Sequence, residues 1–287
     1  MRKIIITILV TITTALSACL ILNGCKSKKK DEALSVKMIN NYIITDKDRR
    51  INQVLYFTRD NIFNNYDIVD SISLIDEEDE TILKLKMNNI KKTNYVHKYK
   101  DTKYNSYIYD LSIPAMNNDL YFKNAKLEII SEDKTLLLPI GVVNIKYDDN
   151  TNKALSVNNL EGKCNYDPYQ TLSKIDINLE NKTNNNIVIK KMNMGEFVDL
   201  TTDDSDSIIF NSKNIDINVQ IIGYMQKELL LNLSYKSKYL LKESYIEIIY
   251  NDGESDKTLY IDTFNYYDNG YKLPELDELI SVLTFKI

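Results

Sequence analysis

Tryptophan is absent from this chain of 287 residues, and seven glycines, four prolines, three cysteines and one histidine are all it holds of those types. Each shortage closes a class of function. One histidine, His97, rules out a zinc centre built from histidines, and no pair of cysteines takes their place. Any Ser-His-Asp or Cys-His mechanism would have to run through His97. That residue sits among lysines and tyrosines, in Tyr95-Val96-His97-Lys98-Tyr99, on what reads as a strand or an exposed hairpin. No catalytic residue is assigned. The scattered glycines form no phosphate-binding loop, and no cofactor is expected. A net charge of -5 makes the chain a poor general binder of nucleic acid, which is excluded as a partner.

Acidic clusters are present, at Asp76–Glu80, Asp203–Asp206 and Asp252–Asp256. Calcium takes six to eight oxygens from such loops. None of the three has the spacing of a calcium-loop motif, so solvated hairpin turns are the expected account and no metal ligand is assigned. A paired-carboxylate glycosidase would need two carboxyls converging in a cleft, and no pair qualifies.

The N-terminus is more informative. Met1-Arg2-Lys3 precedes an apolar run from Ile4 to Leu22, then Asn23-Gly24-Cys25 and the polar, basic Lys26-Ser27-Lys28-Lys29-Lys30. A cationic start, an apolar stretch and a small residue before the cut describe a secretory signal. Leu22-Asn23-Gly24-Cys25 resembles the lipobox of bacterial lipoproteins, as does Leu16-Ser17-Ala18-Cys19 upstream. Cutting before Cys19 would leave Leu20, Ile21 and Leu22 on the mature end, whereas cutting before Cys25 leaves lysines and a serine. Cys25 is therefore the favoured lipidation site and Cys19 the alternative. The resemblance implies an extracytoplasmic protein held to the cell membrane by acyl chains on Cys25. An uncleaved transmembrane helix over Ile4–Leu22 is the competing reading, weakened by Thr7, Thr11, Thr13, Thr14 and Ser17. Removal of residues 1–24 shifts the charge from -5 to -7, because Arg2 and Lys3 leave and no acid does. Cys164 would then be the one free thiol, and no intramolecular disulfide could form.

Residues 25–40 read as a tether. Thr45-Asp46-Lys47-Asp48, followed by Ile51, Val54, Leu55 and Ile62, predicts a helix with Thr45 as its cap, although Tyr56-Phe57 would suit a strand instead. From about Asp70 the period becomes two. Ile72 and Leu74 alternate with serines, and Leu83, Leu85 and Met87 with lysines. Tyr107, Tyr109, Leu111 and Ile113 share one face, as do Ile175, Ile177 and Leu179, then Ile215, Ile217, Val219 and Ile221, then Leu229, Leu231 and Leu233. Short alternating strands between Asn/Asp turns indicate antiparallel sheets with one wet face, paired as sandwiches.

The halves also resemble each other. Leu127–Ile130 matches Ile246–Ile249, Asp133–Leu136 matches Asp256–Leu259, Tyr147-Asp148 matches Tyr267-Asp268, and Ile82-Leu83 matches Ile187-Val188. The fold class expected is mainly β: two tandem immunoglobulin-like antiparallel β-sandwich domains, over 41–158 and 167–287, with a few short helices. Cys164 falls in the linker between them. Pro274-Glu275-Leu276 starts a short C-terminal helix, with a last strand at Leu283–Ile287 as the alternative. The function implied is a non-enzymatic binding or assembly module at the cell surface, with a protein or cell-wall partner. A solute-capture lipoprotein serving a transporter is the alternative, and it would need the alternating helices of α/β lobes.

Overall fold

Alternation of apolar and polar residues, Asn/Asp turns and few glycines leave strands as the way for this chain to bury its isoleucines and leucines. The computed structural model describes residues 31–76, 78, 80–149, 154–165, 171–195, 198–202, 210–211, 214–235, 240–262 and 279–285. Among them a 3-10 turn at Ile62–Asn64 is helical, as is the single residue Leu279. No helix there is long and apolar enough to cross a membrane.

The first sandwich uses β1 (Asp31–Val36), β2 (Met38–Ile44), β3 (Arg49–Phe57), β4 (Val69–Asp76), β5 (Thr81–Tyr99), β6 (Thr102–Ile113), β7 (Leu120–Ser131) and β8 (Lys134–Tyr147). One layer is ordered β5-β6-β3-β1 and the other β2-β8-β7-β4-β5. Strand β5 belongs to both: its start pairs with β4, and from Lys86 onward it pairs with β6. Strand β2 runs parallel to β8, and the other pairings within this sandwich are antiparallel. Between the layers lie Leu55, Phe57, Tyr109 and Leu111 from one side and Ile72, Leu74, Phe122, Leu127 and Leu138 from the other. Each such side chain contributes about 1.5–3 kcal/mol when fully buried.

The second sandwich uses β9 (Leu155–Asn165), β10 (Thr171–Asn181), β11 (Ile187–Asn193), β12 (Val198–Thr202), β13 (Phe210–Asn211), β14 (Asn214–Ile221), β15 (Gln226–Tyr235), β17 (Tyr245–Asn251) and β18 (Asp256–Asp262). Its layers are ordered β12-β15-β10-β9 and β13-β14-β11-β17-β18. With β2 set aside in the first sandwich and β13 and β14 in the second, the remaining strands counted along the chain fall in the A-B-E-D and C-F-G orders of an immunoglobulin-type sandwich. Leu127–Ile130 and Ile246–Ile249 fall on equivalent strands, β7 and β17, and Asp133–Leu136 and Asp256–Leu259 on the turns and strands that follow. Ile82 and Ile187 do not correspond, since β5 and β11 hold different places in the order.

Two strands cross between the halves. β16 (Leu240–Glu243) adds to β2 in parallel, and β19 (Ile280–Phe285) adds to β1 antiparallel, from Asp31↔Phe285 to Val36↔Ile280. Both open edges of the first sandwich are thus covered by the C-terminal third of the chain. A second apolar cluster, on the outer face of the β1-β3-β6-β5 layer, joins Leu34, Tyr56, Tyr99 and Tyr104 to Leu279. Ile39 and Val142 belong to the core of the second sandwich.

Four expectations are corrected. Residues 31–40 are strand rather than tether, because both edges of β1 and β2 are paired and their side chains are almost all buried. Arg49–Phe57 is strand rather than helix: its register with β6 places Ile51 and Leu55 in the core, and pairing outweighs the local capping signal. The boundary lies between Tyr147 and Leu155, not at 158–167, and β9 runs through Gly162 and Cys164 as an edge strand. At the C-terminus, Ile280–Phe285 is strand, and 263–278, with most of the expected helix, lie outside the described residues.

Parallel pairing of β2 with β8 depends on Gly141. Its φ is +103°, and a Cβ there would drive into the Met38 backbone. Gly141→Ala should cost at least about 3 kcal/mol by this clash and the unfavourable φ. Denaturant unfolding would register the loss as a lowered midpoint.

Candidate functional site

At one end of the second sandwich, three apolar side chains point into solvent from a single turn. Ile222, Tyr224 and Met225 are 62, 70 and 55% exposed. The turn joins β14 to β15, and it lies beside the β10–β11 connection, residues 182–186. The strands fix which end this is. Ile187 pairs with Ile221, and Val188 with Asn251, so the turn shares its end with the β17–β18 turn. Tyr245 and Asp262, which face the first sandwich, lie at the opposite end of those two strands.

The turn is held rather than loose. Tyr224 N–H donates to the Thr183 carbonyl at 2.9 Å, Asn181 N–H to the Met225 carbonyl at 3.0 Å, and Met225 N–H to the Ile222 carbonyl at 3.1 Å. Asn181 is fully buried and acts as the hub. Its side-chain NH2 donates to the carbonyls of Asn185 (2.7 Å) and Ile221 (3.0 Å), and its side-chain oxygen accepts from Thr183 N–H and Oγ1. Gly223 presses against the Asn184 carbonyl, where a Cβ would collide. Tyr224 has a φ of +58°, which costs a bulky L residue on the order of 1–2 kcal/mol. Strained backbone, saturated hydrogen bonding and exposed apolar side chains coincide here. Such an arrangement can present a fixed apolar contact with little ordering cost on binding.

The neighbouring β17–β18 turn is capped by Asp252. This carboxylate is ion-paired with Lys257 and accepts from Glu254 N–H (3.1 Å) and Ser255 N–H (3.2 Å). The Lys257 contact chiefly, with the turn amides, lowers its pKa to about 2. Asp256 pairs with Lys190 at 2.6 Å. Asp76 does similar work in the first sandwich: it is buried and accepts from Asn124 N–H (2.8 Å) and Glu78 N–H (3.2 Å). These acids secure turns, and no cluster of three or more His, Cys, Asp or Glu able to hold a metal occurs among the described residues. Asp203–Asp206 lie outside those residues.

The seam between the sandwiches carries a polar hollow of about 520 Å³, lined by Thr45, Lys47, Arg49, Asp148, Tyr260 and Asp262 among others. Arg49 dominates it. The guanidinium donates to the Ile43 carbonyl (2.9 Å), to Asp262 (2.7 Å) and to Glu243 (3.3 Å), and it lies 5.3 Å from the Tyr42 ring centre. Burial opposes its charge, but the two carboxylates outweigh burial and raise its pKa. Its Nε is buried without a partner. Arg49 ties β3 to the ends of β16 and β18, which makes it an inter-sandwich clamp.

His97 packs edge-on against Tyr56, ring centres 5.1 Å apart, in the hairpin of β5 and β6. Cys164 lies on β9 opposite Leu172. Cys19 and Cys25 lie outside the described residues. Periodicity does not single out the apolar turn, because Ile221-Ile222 extends a strand-like run. The break in alternation at Ile222, followed by Gly223, is the signal that marks it.

No family model and no curated protein sequence matches the chain. Among solved structures, the yeast delta-COP-I mu-homology domain is 12% identical, covers 78% of this chain and 83% of its own length, and has a TM-score of 0.25. The titin Ig tandem domains A164-A165 are 7% identical (81% and 96% covered; TM-score 0.21). The C-terminal domain of the Streptococcus agalactiae AgI/II polypeptide BspA is 9% identical (80% and 100% covered; TM-score 0.23). Overlays this loose transfer neither fold nor activity; the sandwich assignment stands on the strand order.

Two outcomes follow from the site. Asn181→Ala leaves the carbonyls of Asn185 and Ile221 without their donor and should cost about 2–3 kcal/mol, read by denaturant unfolding. Burial lowers the pKa of His97 below 6.5. The unfolded chain therefore takes up the proton first as pH falls. Stability from the neutral ring is present above pH 6.5 and declines as pH drops from 6.5 toward the folded value. Thermal midpoints should fall between about pH 7.5 and 5.5, and His97→Phe should flatten that slope.

Proposed function

We propose that this chain is an extracytoplasmic lipoprotein, anchored by acyl chains on Cys25, that acts without enzymatic chemistry as a binding module at the cell surface. The N-terminal pattern ending in Leu22-Asn23-Gly24-Cys25 supports the anchor. Two acyl chains on one thiol meet the requirement for stable membrane attachment, each methylene contributing about 0.8 kcal/mol. The observation that carries the binding role is the rigid turn with Ile222, Tyr224 and Met225 exposed, at the end of the second sandwich away from the seam. Its partner is a protein surface with an apolar pocket able to take the three side chains, rimmed by acceptors and donors for Asn184, Asn185 and Asn186.

Labelling of cells with radioactive palmitate should mark the wild-type protein and leave Cys25→Ser unmarked. A label that persists in Cys25→Ser and disappears in Cys19→Ser moves the anchor, and no label in either overturns it. A photo-crosslinking residue at position 224 should trap one partner on intact cells. Replacing Ile222 and Met225 by serine should cut that yield about tenfold, with an unfolding free energy within about 0.5 kcal/mol of wild type. An unchanged yield would remove the turn from the binding role.

A further inference from the structure

The tip of the β5–β6 hairpin is locally basic on a chain whose net charge is -5. Lys98 stands directly opposite Lys103 in the register, and Lys100 occupies the turn between them at a φ of +53°. All three are exposed, and Asp101 is the one acid among them. Like charges placed directly across an antiparallel pair are destabilising. The fold nonetheless gathers them on a chain whose mature charge is -7 after loss of residues 1–24. None of the three makes an ion pair among the described residues, whereas Lys92, further back along β5, is paired with Asp60 at 2.6 Å. Beside them Tyr95 and Val96 are 65 and 59% exposed.

The position of this hairpin is as telling as its charge. Leu34 pairs with Tyr56, Tyr56 with Ser106, and Asn105 with Val96, so Asp31 enters the fold at the level of the hairpin tip. Tyr104 OH donates to Glu32 at 2.6 Å, and Asp31 is ion-paired with Arg59. Three strand spacings, roughly 15 Å, separate β1 from β5. Five residues lie between Cys25 and Asp31, and a chain of that length spans at most about 20 Å.

We infer that the tip of the β5–β6 hairpin docks on anionic lipid headgroups, with Lys98, Lys100 and Lys103 on phosphates and Tyr95 and Val96 at the interface. The inference rests on the anchor reading, which brings this pole of the first sandwich to the bilayer. Positively charged side chains within a Debye length of an anionic surface are attracted to it. Tyrosine is favoured at the same depth, where its ring and hydroxyl meet different media. Docking would fix the first sandwich against the membrane and leave the Ile222–Met225 turn on the second sandwich for a partner.

The test uses the whole chain after the proposed cut, residues 25–287, with Cys25→Ser so that it carries no lipid. It compares vesicles of phosphatidylglycerol and phosphatidylcholine in equal parts with vesicles of phosphatidylcholine alone, at low salt. Wild type should sediment with the anionic vesicles and not with the neutral ones. Lys98→Gln, Lys100→Gln and Lys103→Gln together should weaken that binding roughly 100-fold, about fivefold per lysine. The same charge change at Lys84, Lys174 and Lys182 should weaken it less than about threefold. Equal loss in both triple variants, no binding to anionic vesicles, or full competition by free polyphosphate would overturn the docking. Because the chain lacks tryptophan, Tyr95→Trp supplies a single reporter. Its emission should shift to the blue with anionic vesicles, and an unshifted spectrum would also overturn the docking. Failure of palmitate labelling at Cys25 would sink the anchor and leave these readings in place, so the two ideas fail separately.

Discussion

Backbone N–H and C=O groups at the edge of a sheet must be paired or protected, and this constraint organises the molecule. The first sandwich has open edges at β1 and β2, and both are closed by strands from the C-terminal third of the chain, β19 and β16. At its other side no edge remains, because β5 turns from one layer into the other. An exposed edge would be a template for pairing with another chain. The closure joins Asp31 to Phe285, and the entropy cost of so long a loop rises only logarithmically with length. The two halves are therefore not beads on a string: the second supplies part of the first.

That closure explains the burial of β1 and β2. Strands with one wet face alternate, but nearly every residue of these two is buried, including Ser35, Asn40 and Asn41. The layer containing β1 is covered on its inner face by the sandwich core and on its outer face by the cluster around Tyr56, Tyr104 and Leu279. Ser35 Oγ donates to the Pro139 carbonyl at 2.7 Å and Asn40 Oδ1 accepts from Tyr42 OH at 3.2 Å, while the Asn40 NH2 is buried without a partner. β2 in turn carries Ile39 into the core of the second sandwich, and Arg49 ties the seam across its polar side.

Charge is used in two ways on this protein. Acids in turns serve as caps, as Asp76 and Asp252 do, bound by turn amides and, for Asp252, by a lysine. Lysines at the β5–β6 tip are the reverse case: none makes an ion pair among the described residues, and Lys100 lies 5.1 Å from the Tyr99 ring centre. The exposed apolar turn at Ile222–Met225 is a third kind of surface, held by Asn181 from below. Cap, patch and turn are distinguishable only by what surrounds them.

Period-two alternation and turn chemistry are properties of local sequence, and they were enough to identify the strands from Ile72 to Leu85, Tyr107 to Ile113, Ile175 to Leu179 and Leu229 to Leu233, the mainly β class and the sandwich architecture. The apolar run from Ile4 to Leu22 followed by Asn23-Gly24-Cys25 is equally local, which is why it reads as a signal without any structure. Pairing across the chain is not local. Tertiary structure alone decided that residues 31–40 are buried strand rather than tether, that Arg49–Phe57 is strand rather than helix, and that β16 and β19 return to the first sandwich. It also decided that Ile222 and Tyr224 face water and that Lys98 meets Lys103. A strand's neighbours, and the burial of its second face, depend on residues up to 254 positions away, as with Asp31 and Phe285, and no periodicity within a strand encodes them.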